Sequence, residues 1–151
     1  MSSIEPVVVS SRIRLISEYL EILQDFEGME LGEYLANIRH QLLAERILEI
    51  LIQAAIDINR HILKSGQSLE SLRNEETFLQ MGNSGVISEK LAENLARSGG
   101  FRNVLAHHYL KIDSRLVFAS IQDTLEFYPL YVQEIVTYLE SLEESIGDSS
   151  G

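Results

Sequence analysis

The chain contains no cysteine in its 151 residues. That excludes a disulfide framework and a thiolate metal site, and it fits a protein kept in a reducing cytosol. No apolar run approaches the roughly 20 residues that a membrane-spanning helix needs. Nor does Met1–Ser11 carry the basic stretch of a signal peptide, and Pro6-Val7-Val8-Val9 is too short for its apolar core. A cytoplasmic protein with no membrane partner is expected. Bases are scarce: 12 Lys and Arg stand against 23 Asp and Glu, a formal charge of −11. Such a balance works against indiscriminate binding of phosphate backbones. No stretch alternates with period two, and no internal repeat is found. No histidine has a glutamate three positions before it, so the Glu-x-x-His pairs of a carboxylate-bridged metal bundle are missing. Gly99-Gly100 is not a P-loop, and no Ser-His-Asp arrangement stands out.

The scarce positive charge is unevenly placed. Between Lys90 and Arg115 five bases face two acids, with His107 and His108 among them. The acidic excess lies elsewhere, as in Glu18–Glu33 and Glu140–Asp148. A globally acidic chain thus carries one locally basic segment, which permits a phosphate site.

Helical periodicity dominates. Ile13, Ile16, Leu20 and Leu23 predict a first helix over about Ser11–Glu27. Gly28 and Gly32 bracket a turn, and a second helix is predicted from about Gly32 to Lys64, roughly 50 Å long at 1.5 Å per residue. Its portion Ile47–Ile58 is apolar almost all round, so either other helices surround it or a second protomer covers it. A short helix is expected over Glu75–Met81, then one over Glu89–Arg97 with Ser88 as N-cap. Ser98-Gly99-Gly100 predicts a break, followed by a helical segment over Phe101–Leu110. Asp113 or Ser114 should cap a last helix reaching about Glu144, kinked or broken near Pro129. The expected organisation is a flexible segment over residues 1–10, one helical domain over 11–146 and a disordered tail over 147–151. His40 and His61 read as ordinary polar-face residues, and Asp57 and His61, four apart, share a face without making a ligand set.

Chemistry concentrates in Gly99-Gly100-Phe101-Arg102-Asn103-Val104-Leu105-Ala106-His107-His108-Tyr109. On an ideal helix Arg102 and Tyr109 fall within roughly 20° of each other, whereas Arg102 and His107 lie roughly 140° apart. Their convergence needs the long arginine stem to reach round a turn, or a facing partner.

The spacing Arg102-x4-His107-x-Tyr109, with Asn103 after the arginine, resembles the signature of the HepT branch of HEPN domains. The likeness extends over about Arg12–Leu142 and includes the long helix through Arg46 and Asp57; Ala106 is a mild departure where relatives often carry valine. The resemblance implies an all-α, up-and-down HEPN bundle of four main helices plus short ones, dimerising so that two Arg-x4-His segments face one cleft. It also implies a metal-independent RNA endonuclease without cofactor, the toxin of a toxin–antitoxin pair. Arg102 and His107 would be catalytic, with Asn103, His108 and Lys111 supporting them. The implied partner is an MntA-like nucleotidyltransferase antitoxin that adenylylates Tyr109. The substrate would be an RNA, either tRNA or mRNA.

Elementary chemistry agrees with these roles. An RNA 2′-OH can attack the adjacent phosphate, given a base, an acid and a cation for the developing charge. Histidine side chains can serve as either proton carrier near neutrality, and a guanidinium matches phosphate oxygens in bidentate fashion. Two proton carriers are wanted. A two-fold dimer supplies His107 twice, while His108 or Lys111 could serve within one chain. A different class of function is a non-catalytic HEPN module that binds nucleotides or a nucleotidyltransferase subunit; intact Arg102, Asn103, His107 and Tyr109 favour the nuclease over it, and a purely structural helical dimer would leave the polar cluster without a task.

Overall fold

The computed structural model describes residues 4–64, 72–107, 110 and 112–150, with the backbone alone over 145–150. Among the described residues every regular element is helical: α1 (Pro6–Leu23), a 3-10 turn (Gln24–Phe26), α2 (Leu31–Leu35), α3 (Ile38–Leu63), α4 (Asn74–Asn83), α5 (Glu89–His107) and α6 (Ser114–Ser150). The four long helices α1, α3, α5 and α6 make the bundle, and α2 and α4 are the short insertions.

The flexible segment expected over residues 1–10 is helical from Pro6, five residues before the expected start of α1. Proline suits the first helical position, where its missing N–H would have no partner and its φ is already set. Val9 is buried and ties this turn to the core. At the other end α6 continues to Ser150, so residues 147–150 belong to the helix rather than to a tail.

The single helix expected over residues 32–64 is two helices. Asn37 adopts an extended conformation (φ −128°), and its side-chain Oδ1 accepts from the Arg39 amide at 2.9 Å. That is an N-cap, which satisfies a backbone donor that the new helix leaves free. α3 then runs for 26 residues, about 39 Å at 1.5 Å per residue. It packs against α1, α4, α5 and α6. Leu48, Leu51, Ile52, Ala55 and Ile56 are fully enclosed by those neighbours. The all-round apolar stretch is therefore explained within one chain.

Ser88 caps α5 as expected, its Oγ accepting from the Leu91 amide at 3.3 Å. The break expected at Ser98-Gly99-Gly100 is absent, and α5 is continuous from Glu89 to His107. Gly99 is buried against the start of α4: a Cβ there would lie 2.7 Å from the Glu75 nitrogen and 2.8 Å from the Asn74 carbonyl carbon. At the far end of the same hairpin a Cβ on Gly82 would lie 2.6 Å from that of Ala92. These glycines let α4 and α5 approach closely instead of interrupting a helix. The hairpin fixes where α5 projects beyond Gly99.

Asp113 is the cap of α6, with Oδ1 accepting from the Arg115 amide at 2.9 Å. Pro129 lies inside α6 without breaking it. Tyr128 and Tyr131, both buried, anchor the helix on either side of the lost amide. No helix among the described residues is long and apolar enough to cross a membrane.

Candidate active site

Of the expected site residues, Arg102, Asn103 and His107 lie on the last turns of α5. His108, Tyr109 and Lys111 lie outside the described residues. Arg102 is half-buried, and its Nε is enclosed without a hydrogen-bond partner. Its side chain lines a groove of about 480 Å³ whose other walls belong to α1 and α3. His107, the last residue of α5, is exposed and is not among the residues lining that groove. The structure does not bring Arg102 and His107 together within one chain. Their separation follows from five residues of ideal helix, roughly 140° of rotation.

Asn103 is held from the neighbouring helix. Its Oδ1 accepts from Asn74 Nδ2 at 3.0 Å. Asn74 Oδ1 in turn accepts from Arg60 Nη2 at 2.9 Å, and the same Arg60 nitrogen donates to the Leu72 carbonyl at 3.1 Å. The backbone of Asn74 is fixed as well, its carbonyl accepting from Thr77 Oγ1 at 2.8 Å. Thr77 belongs to a buried polar chain: Asn59 Nδ2 donates to Thr77 Oγ1 at 3.1 Å, and the Tyr131 hydroxyl donates to Asn59 Oδ1 at 2.6 Å. Burial pushes the Tyr131 hydroxyl well above its usual pKa, with Tyr128 adding to the shift, so it remains a donor. Asn74 thus links the core of the bundle to the polar end of α5. Sequence reasoning missed it, and nothing in the spacing of Asn74 pointed to such a role.

The groove beside Arg102 was also missed. Arg46, Glu49, Gln53 and Asp57 line it from α3, at a helical spacing that places them on one stripe, and Arg12 lines it from α1. Arg46 Nη1 donates to Glu49 Oε1 at 3.2 Å. Asp57 accepts from Gln53 Nε2 at 2.8 Å and stands 3.6 Å from Arg12 Nε. Asp57 therefore does not pair with His61.

The two outlying histidines, expected as ordinary polar-face residues, are both half-buried and engaged. His61 is half-buried and its Nε2 accepts from the Glu5 amide at 2.9 Å. Burial lowers its pKa, as does Lys64, against an opposing pull from Glu5. His40 packs edge-on against Phe26 with ring centres 5.7 Å apart, and its Nδ1 is enclosed without a partner. Both rings help to pin the ends of α1 and α3. Among the described residues no three His, Asp or Glu side chains gather as a metal site would require.

Known proteins resemble this chain over most of its length. A family model described as Ribonuclease HepT-like matches residues 16–135. This chain belongs to the HepT-like family. A tRNA nuclease HepT from Aphanizomenon flos-aquae is 44% identical over 144 residues, covering 95% of this chain and 98% of the relative. Among solved structures, a toxin–antitoxin with AMP-PNP has a TM-score of 0.74 at 21% identity, covering 86% of this chain and 98% of that one. A tri-AMPylated HEPN toxin from Shewanella oneidensis, solved in complex with an MNT antitoxin, has a TM-score of 0.73 at 22% identity, covering 86% and 97%. The all-α HEPN bundle of the HepT-like chain is the fold of those toxins.

Proposed function

We propose that this chain is an RNA endonuclease, the toxin of a toxin–antitoxin pair, and that Arg102 and His107 carry its chemistry. Supporting the reading most directly is the sequence pattern Arg102-x4-His107-x-Tyr109, with Arg102 and His107 on the last turns of α5, in a chain of the HepT-like family. The RNA 2′-OH gives its proton to a base and attacks the adjacent phosphorus. An acid returns a proton to the departing 5′-oxygen, leaving a 2′,3′-cyclic phosphate and a 5′-hydroxyl. His107 acts in proton transfer, and Arg102 stabilises the charge that grows on the phosphate oxygens. No metal enters the scheme. Because Arg102 and His107 point apart on one helix, two protomers meeting about a two-fold axis would set His107 of one beside Arg102 of the other. Asn103 orients the phosphate, and His108 and Lys111 support the site, Lys111 through its positive charge. The name of the 44% identical relative makes tRNA the first substrate to examine.

Control would come from a nucleotidyltransferase-fold antitoxin. The Tyr109 oxygen would attack the α-phosphate of ATP, forming Tyr–AMP and releasing pyrophosphate.

The test is cleavage of total cellular RNA and tRNA by purified protein. Wild type should cut, while His107→Ala should lose cleavage with its helical content intact, because the position is exposed. Arg102→Lys should rescue poorly, since a point charge does not replace the guanidinium fork. Wild-type rates in His107→Ala would overturn the assignment.

A further inference from the structure

Three guanidinium groups, Arg12 from α1, Arg46 from α3 and Arg102 from α5, line one groove in a chain whose formal charge is −11. Glu49 and Asp57 lie among them and leave the lining one positive charge in excess. We propose that this groove is a second phosphate subsite, in which Arg46 and Arg12 hold a backbone phosphodiester of single-stranded RNA beside the phosphate engaged by Arg102. The proposal rests on the nuclease reading above and adds to it the path that the RNA takes.

Several observations converge. The groove encloses about 480 Å³, within the size range of small-ligand sites. Arg102 Nε is enclosed in the protein with no partner, although a buried donor of this kind normally has one. Arg46 is paired only with Glu49 of its own helix, at 3.2 Å, and its side chain is 68% exposed. Exposed pairs of that type contribute little to stability and exchange readily. Arg12 stands 3.6 Å from Asp57, beyond hydrogen-bonding distance. Both carboxylates therefore act as weak stand-ins for an anion. A phosphate arriving at Arg46 would displace Glu49, whose freed carboxylate turns to solvent. Such built-in competition also filters ligands: a lone phosphate must outbid Glu49 at one point, whereas a polymer engages several arginines together.

A single-stranded RNA of about 12 nucleotides, titrated by fluorescence anisotropy into the full-length His107→Ala chain, tests the subsite without cleavage. Arg46→Ala in that background should raise Kd about fivefold to tenfold and flatten the dependence of log K on log salt by about 0.7, the share of one phosphate contact on a single strand. Glu49→Gln should lower Kd several-fold, a direction that loss of a merely structural ion pair would not give. Unchanged affinity in Arg46→Ala, or unchanged or weaker affinity in Glu49→Gln, would overturn the subsite. Competition by inorganic phosphate as effective as that of the oligonucleotide at equal phosphate concentration would also overturn it, marking a simple anion pocket. In the catalytically intact chain, Arg46→Ala should raise KM with kcat little changed. Cleavage by wild type with a parental KM in Arg46→Ala would defeat this subsite alone. Absence of RNA cleavage by wild type would defeat the nuclease reading and the subsite with it.

Discussion

Asn74 and Asn103, 29 residues apart in the chain, are joined amide to amide at 3.0 Å, and the bond ties the polar end of α5 to the start of α4. Asn74 also takes a hydrogen bond from Arg60 on α3, so one side chain connects three helices. Removing it frees Asn103 without touching Arg102 or His107. Asn74→Ala should reduce kcat by about tenfold, on the order of 1.4 kcal/mol of transition-state stabilisation. The expected loss in melting temperature is only a few degrees, because the bond is exposed. Single-turnover cleavage beside a thermal melt separates the two effects. Activity equal to wild type would show that Asn103 needs no support.

The helical class was legible in the sequence, because apolar periodicity is a local signal, and so was the place of Arg102, Asn103 and His107 on one helical segment. The misreadings have two causes: a local cap at Asn37 that its polar side chain alone did not announce, and partners far away in the chain that override the local meaning of other residues. Asn37 looked like one polar residue in a long helix, yet its cap creates a new helix start. Gly99 and Gly100 looked like a break, yet Gly99 is a seat for α4. The groove needed α1 and α3 laid side by side, and nothing local to Arg12 marks it as a neighbour of Arg102.

The two adjacent glycines should behave oppositely when replaced by alanine. A Cβ at Gly99 meets α4 backbone at 2.7–2.8 Å, which no flexible side chain can relieve, whereas one at Gly100 meets nothing within 4 Å. Gly99→Ala should destabilise the fold by about 1–3 kcal/mol as the hairpin is pushed apart. It should also lower activity through displaced Asn103. Gly100→Ala should stabilise by about 0.5–1 kcal/mol through improved helix propensity. Urea titrations of both variants measure this. Equal effects of the two substitutions would contradict the packing role.

His61 should make the start of α1 sensitive to acid. Its neutral ring accepts the Glu5 amide, and burial lowers its pKa below the ordinary value of 6.5. A histidine with a depressed folded-state pKa adds stability above its unfolded pKa, and that contribution disappears as pH falls through the folded value. Protonation removes the acceptor, so the protection of the Glu5 amide relative to its intrinsic exchange rate should fall as pH drops through the folded-state value of His61. NMR titration of His61 with amide exchange at Glu5 reads both quantities. His61→Ala should remove the pH dependence of that protection, and protection at Glu5 that keeps it would place the switch elsewhere.

Tyr109 is the residue at which control should act. One AMP would add a phosphodiester charge and a bulky nucleoside, two residues along the chain from the proposed catalytic His107. Pairing of that charge with Arg102 or Lys111 would mimic bound product and block RNA entry. Co-expression with the cognate nucleotidyltransferase should add about 329 Da per AMP to the chain, localised to Tyr109 by peptide mass spectrometry. Tyr109→Phe should stay toxic in the presence of the antitoxin. Complete inhibition with Tyr109 unmodified would leave simple occlusion by the partner.

The nature of the RNA ends separates the proposed chemistry from a metal-dependent route. When the attacking oxygen belongs to the RNA itself, the protein needs to supply only proton transfer and charge stabilisation, tasks within reach of imidazole and guanidinium. A two-metal nuclease instead activates water and stabilises the departing 3′-oxygen, leaving a 3′-hydroxyl. Cleavage by this chain should therefore continue at an unchanged rate in excess EDTA. Its products should carry 2′,3′-cyclic phosphate or 3′-phosphate ends, which resist polyadenylation by poly(A) polymerase until treated with a phosphatase that removes both. Substitution of a deoxynucleotide 5′ to the scissile phosphate should abolish the cut, because the nucleophile is then missing. Cleavage that requires Mg²⁺, yields directly extendable 3′-hydroxyl ends and tolerates the deoxy substitution would reject the roles given to Arg102 and His107, even if both proved essential for activity.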